Sequence, residues 1–182
     1  APAIAPACPA TTKEKPVLKD HKCSLIPPDI CAQLKEQSGA DYAGLGYQRP
    51  NVDWKRYDQV MIPPVLAFGG PDQKFTGEQQ HALVSYTYEK VSKAFDTLHE
   101  LADIPGAKVV KIQIALTDAA ESSPVLRSVS MGLPQARLIG TLKFVFTGSY
   151  PFVGWVQGEA VVSDSVTGEV LAGGVERRAG GA

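Results

Sequence analysis

The residues of this chain that could do chemistry are few, and their spacing matches no catalytic pattern. Three cysteines stand at 8, 23 and 31, and three histidines at 21, 81 and 99. Cys23 and Cys31 enclose a short Pro-containing loop, Ser24 to Ile30, and are read as a disulfide made in an oxidising compartment. Inert thiols in a cytosolic protein are the alternative, but the surrounding segment is poor at building a core and favours a staple. Cys8 is then the odd thiol, either free or cross-linked to another molecule. A zinc site wants about four ligands. Only His21 lies near the cysteines, so no metal is expected. His81 and His99 are about five turns apart on one helix, too far along it to share an ion.

Asp118, Glu121, Ser122 and Ser123 gather in one segment, read as a loop. No histidine is adjacent in sequence to serve as base, so the segment reads as a solvated turn. Nucleophile elbows, phosphate-binding loops and paired Cys-x-x-Cys motifs are missing from the sequence. Gly44, Gly46, Gly69 and Gly70 read as loop glycines without the strand–loop–helix setting of a phosphate site. No catalytic residue and no cofactor is therefore expected. Trp54, Tyr57, Tyr150 and Trp155 could form an interaction surface, with core or strand-edge packing as the alternative. Arg177 and Arg178 make a local basic pair that belongs either to that surface or to a solvated strand end.

Composition narrows the classes further. The 182 residues carry 18 basic and 19 acidic side chains, a formal net charge of −1, so no strong field steers the protein to nucleic acid. A hydrophobic fraction of 44% supports a sizeable core. No apolar run approaches the ~20 residues of a bilayer span, so membrane association is expected only through a lipid or a partner. The opening Ala-Pro-Ala-Ile-Ala-Pro-Ala fits what cleavage of an export signal leaves behind.

The positioning elements follow from periodicity. Residues 1–50 are rich in Pro and Gly and read as an irregular extension, with a short helix over Pro28 to Gln37. A single domain is expected over 51–182. It opens with a turn at Asp53-Trp54-Lys55 and a strand from Tyr57 to Ile62. A helix over 77–102 follows, N-capped by Thr76, with Val84, Tyr88, Val91, Phe95, Leu98 and Ala102 on one face. Lys108 to Thr117 alternates as a half-buried strand. Strands are also read at Val125–Met131 and residues 136–147. Two β-rich runs around Asp164-Ser-Val-Thr-Gly168 form a hairpin, in which Asp164 bonds back to the following backbone and Gly168 takes φ > 0. The expected fold is α+β: a largely antiparallel sheet covered on one face by one long helix.

Several of these blocks also carry a family likeness. Pro50-Asn-Val-Asp-Trp-Lys-Arg-Tyr-Asp-Gln-Val-Met-Ile-Pro-Pro-Val, Ile114-Ala-Leu-Thr-Asp118, and Gly154 through Gly168-Glu-Val-Leu-Ala to Glu176-Arg-Arg-Ala-Gly180 resemble, in order, domain-of-unknown-function family 3313 over about residues 38–180. The resemblance implies an exported envelope protein of a Gram-negative bacterium, located in the periplasm, at the outer membrane or on the cell surface. It brings no catalytic residues. The function expected is a non-enzymatic accessory or structural subunit that contacts other envelope proteins or copies of itself, with the Pro-rich arm as docking element. The alternative is a small-molecule or glycan binder with a pocket between helix and sheet.

Overall fold

The computed structural model describes residues 22–38, 43–68, 77–121 and 154–180. The C-terminal hairpin is its centre. Strands β7 (Gly154–Asp164) and β8 (Val170–Gly180) run antiparallel. In the turn between them, Asp164 Oδ1 accepts the N–H groups of Val166 (3.0 Å) and Thr167 (2.9 Å). Gly168 closes the turn at φ 75°, a conformation that a side chain disfavours.

The sheet grows outward from this hairpin. Among the described residues its order is β1 (Lys35–Ser38), β2 (Ala43–Gln48), β8, β7, β6 (Val109–Glu121), β3 (Gln59–Met61) and β5 (Glu100–Leu101), with β4 (Leu66–Ala67) also on β6. Pairing is antiparallel from β1 to β6 and parallel among β3, β4, β5 and β6. The sheet is therefore mixed. Parallel neighbours require a long crossover, and helix α2 (Gly77–Asp96) lies in the chain between β3 and β5.

Helix α2 is shorter than its apolar spacing predicts, and its buried stripe keeps Val91 and Phe95 but is displaced by one residue in the first half of the helix. Leu83, Thr87, Val91 and Phe95 are the buried positions, whereas Tyr88 and Leu98 are 42% and 50% exposed. Thr87 fits an apolar stripe because its hydroxyl donates to the Leu83 carbonyl at 2.8 Å. The helix stops at Asp96, where the N–H groups of Leu98 and His99 both turn back to the Phe95 carbonyl. Glu100 and Leu101 then pair with β3 instead of extending the helix to 102. Thr76 lies outside the described residues.

Both faces of the central strands are buried. Leu83, Val91 and Phe95 share one cluster with Val60, Ile112 and Val162, among others. Alternation along β7 puts Val161 on the other face, where it joins Val175, Ile26 and Ile30. This second cluster is made with the N-terminal segment. Helix α1 is a single turn, Pro28–Cys31. The helix expected to Gln37 gives way to β1, which pairs with β2, and β2 in turn pairs with β8. Gly44 and Gly46 are thus strand residues and not loop glycines. A Cβ on Gly174, which is paired with Gly46, would come within 3.1 Å of the Leu45 carbonyl, so β2 lies tight against β8.

Strand β6 also runs past its expected end. Asp118 to Glu121, read as loop from sequence, continue the ladder opposite Gln157 to Gly154, after a register shift between Leu116 and Asp118. The strands expected over Val125–Met131 and 136–147 lie outside the described residues.

Candidate functional site

Two of the buried carboxylates, Asp164 and Glu159, tie distant parts of the chain together. The first is Asp164, where β7 enters the turn. A 3₁₀ turn at Trp54–Arg56, capped by the Asp53 carboxylate on the Lys55 N–H, delivers two side chains to it. Arg56 Nη2 and the Tyr57 hydroxyl both donate to Asp164 Oδ2, at 2.7 and 2.8 Å. The Arg56 guanidinium also lies 5.0 Å from the centre of the Tyr57 ring. Beside them, Ser165 Oγ both accepts from the Gly106 N–H and donates to the Gly106 carbonyl, each at 3.0 Å. The hairpin turn is therefore bonded to two earlier parts of the chain.

These bonds hold Asp164 ionised. The Thr167 N–H does most to lower its pKa, burial opposes it, and the Tyr57 hydroxyl and Val166 N–H add to the lowering, leaving it at about 2. Tyr57 is pushed the other way, by burial first and then by its bond to Asp164. A carboxyl whose pKa is depressed in the folded protein stabilises the fold above its unfolded value, near 3.8, and loses that contribution as pH falls towards 2. The shift corresponds to roughly 2 kcal/mol. Urea unfolding between pH 6 and pH 2 should show this acid-sensitive part in the native chain and lack it in Asp164→Asn.

The second carboxylate is Glu159, wholly buried in the middle of β7. It faces the N-terminal segment. Its Oε1 accepts the Ser24 N–H at 2.9 Å, and its Oε2 accepts those of Ser24, Leu25 and Ile26 at 3.1, 2.8 and 3.0 Å. Three consecutive backbone N–H groups thus form an anion-binding nest filled by the protein's own side chain. Cys23 and Cys31 are joined by a disulfide, with Cα atoms 6.2 Å apart, which closes the segment that carries those groups.

A polar group extends from Glu159 along the same strand. Gln157 Nε2 donates to Thr117 Oγ1 (3.3 Å), while Gln157 Oε1 accepts from Nε and Nη2 of Arg177 (3.1 and 2.9 Å). Gln157 and Arg177 are direct cross-strand partners. Arg177 is therefore half-buried and bonded, not a solvated strand end.

Of the other residues picked out from sequence, those that are described lie along the length of β7 and its neighbours. Trp54 and Tyr57 are half-buried against the main core, at the Asp164 end of β7. The Trp155 backbone pairs with Ala120 and Ala179 towards the opposite end of that strand. Nine positions separate its backbone from Asp164, about 30 Å at strand rise. Arg178 pairs with Val156 through its backbone. Tyr150, Cys8 and His21 lie outside the described residues. His81 is exposed on α2, and His99 stands beyond the helix end with its ring 6.3 Å from that of Phe95. Among the described residues no group of three His, Cys, Asp or Glu side chains could hold a metal ion. No described helix is long and apolar enough to cross a membrane.

Arg56, Gln157 and Glu159 escaped the sequence reading. For Glu159 the signal was a lone acid between Gly158 and Ala160 in a run buried on both faces.

A family model matches residues 24–182 under the description of a protein of unknown function, DUF3313. The chain belongs to that family. Two stretches within the blocks that carry the likeness, Asp53–Tyr57 and Asp164–Gly168, meet at the Asp164 carboxylate. No curated protein matches the chain. Solved structures similar to it include a variant of the PelC dodecamer from Paraburkholderia phytofirmans, at 13% identity over 76% of this chain and 80% of that one, with a TM-score of 0.40. The PelC dodecamer of the same organism in a second crystal form matches at 10% identity over 75% and 81%, with a TM-score of 0.39. Lipoprotein GNA1162 from Neisseria meningitidis matches at 10% identity over 69% and 82%, with a TM-score of 0.36.

Proposed function

We propose that this is a non-enzymatic protein of the bacterial cell envelope that works as an accessory or structural subunit through protein–protein contacts. The observation that carries the reading is β5, the edge strand among the described residues, and its flanks, where Leu98, Leu101 and Ile104 are 50%, 39% and 73% exposed. Large exposed apolar side chains gathered along a sheet margin are the chemistry of a docking surface. The Cys23–Cys31 disulfide supports an oxidising, exported setting. Asp164 and Glu159 spend their oxygens on internal donors, which speaks against a catalytic use of these two carboxylates.

The test places a photo-crosslinking residue at Ile104 in the full chain expressed in its own envelope, with Leu101→Glu as a surface-breaking variant. A crosslinked adduct, either to a copy of the chain or to another envelope protein, is expected and should be lost in Leu101→Glu. A chain that crosslinks to nothing, and sediments as a monomer in the native and variant forms alike, overturns the proposal.

A further inference from the structure

The N-terminal segment Cys23–Cys31 is a strap laid across one face of the sheet. Ile26 and Ile30 pack on Val161 and Val175, and both cysteines pack against the same cluster. The strap lies over the sheet at about the distance a methyl group would bridge. A Cβ on Gly173 would lie 3.9 Å from Ile26 Cδ1. Its polar attachment is concentrated on one group, since the N–H groups of Ser24, Leu25 and Ile26 all end on the Glu159 carboxylate. Glu159 is wholly buried under it, whereas the two cysteines are only half-buried. The cross-link that shapes the strap is thus within reach of solvent, while the carboxylate it covers is not.

We propose that the Cys23–Cys31 disulfide and Glu159 together form a redox-sensitive latch: oxidised, the strap covers the β7–β8 face, and reduction releases it. The disulfide closes a loop of eight-residue separation, and this closed shape aims three successive N–H groups at one carboxylate. A dithiol reductant opens it by thiol–disulfide exchange. One reductant thiolate attacks a cystine sulfur, the S–S bond breaks, and the second reductant thiol resolves the mixed disulfide. Cys23 and Cys31 leave as thiols, and the reductant becomes a disulfide. The strap then regains the freedom that the cross-link removed, and its hold on Glu159 weakens. Opening presents a carboxylate flanked by Val161 and Val175 on the sheet surface. This device goes beyond the proposed envelope role and holds whichever partner docks at β5.

Backbone amide exchange on the full chain, oxidised and then treated with dithiothreitol, reads the latch directly. Reduction is expected to speed exchange at residues 24–26 by about tenfold or more, the scale set by the entropy of a short cross-linked loop. Amides of β6 and β7 should keep their rates. Cys23→Ser with Cys31→Ser should reproduce the reduced pattern without reductant, and reduced native chain decides the matter if that variant does not fold. Equal protection of residues 24–26 in both redox states overturns the latch. So does a loss of protection in β6 and β7 as large as that in the strap, which would make the disulfide a global staple.

Discussion

Replacing Asp164 by Ala is expected to destabilise the protein by about 3–4 kcal/mol, the range for removing one member of a buried, charged hydrogen-bond network. The side chain is 3% exposed and accepts four bonds: Val166 N–H and Thr167 N–H on one oxygen, Arg56 Nη2 and the Tyr57 hydroxyl on the other. Truncation removes the turn's local acceptor and leaves the Tyr57 hydroxyl beside a void. It also frees Arg56, 52% exposed, which regains water at little cost, and this keeps the loss below that of a fully desolvated ion pair. Asp164→Asn separates the two halves of the site. Its amide oxygen can still accept from Val166 and Thr167, but its NH₂ then faces the two donors. A loss of about 1–2 kcal/mol is expected for it. Urea midpoints at neutral pH would measure both. Equal losses in Ala and Asn would show that the turn bonds contribute nothing, and no loss in either would remove Asp164 as the organising group.

The Asp164 turn was legible because it is written locally: an Asp and a Gly at fixed offsets encode their own hydrogen bonds and φ. The alternation of Val110, Ile112, Ile114 and Leu116 was legible for the same reason, since period two needs no partner to be recognised. Where two local patterns compete, periodicity places Val91 and Phe95 correctly and misplaces Tyr88. On α2, Val84–Tyr88 and Leu83–Thr87 each lead at helical spacing into Val91 and Phe95. The buried pair is the one with the polar member, because the Thr87 hydroxyl is satisfied within the helix. Beyond Asp96 the apolar spacing continues, but pairing of Glu100 and Leu101 with β3 takes precedence over another turn of helix. Long-range partners were not legible at all. Arg56 meets Asp164 across 108 positions, and the strap meets Glu159 across 133 to 135. Even Gln157 and Arg177, on one hairpin, are obscured. Counted from the Ser163–Val170 pair, Gln157 would face Glu176, and the register shift between Val162 and Ser163 moves it to Arg177.

Glu159→Gln is the complementary case, a large effect confined to one face. The substitution keeps the volume of a wholly buried side chain but presents an NH₂ to a nest of three N–H donors. One amide oxygen can serve part of the nest, and the remaining donors lose their acceptor at about 1–3 kcal/mol for each group left buried and unpaired. Because the strap can lift and let water reach those groups, a net loss of about 2–3 kcal/mol is expected, concentrated in residues 24–26. The sheet should survive, since β7 is held through its backbone by β6 and β8 and packs Val156 and Val162 on the opposite face. Glu159→Gln and loss of the disulfide act on the same segment, so their effects should not add. The double change, Glu159→Gln in the reduced protein, is expected to fall short of the sum by about 0.5–3 kcal/mol, the coupling found between groups sharing one network. Strict additivity in urea unfolding would mean that the disulfide shapes the strap without presenting it to the carboxylate. A shortfall would place the S–S bond and the Glu159 carboxylate, the two ends of the strap's attachment, in one cooperative unit.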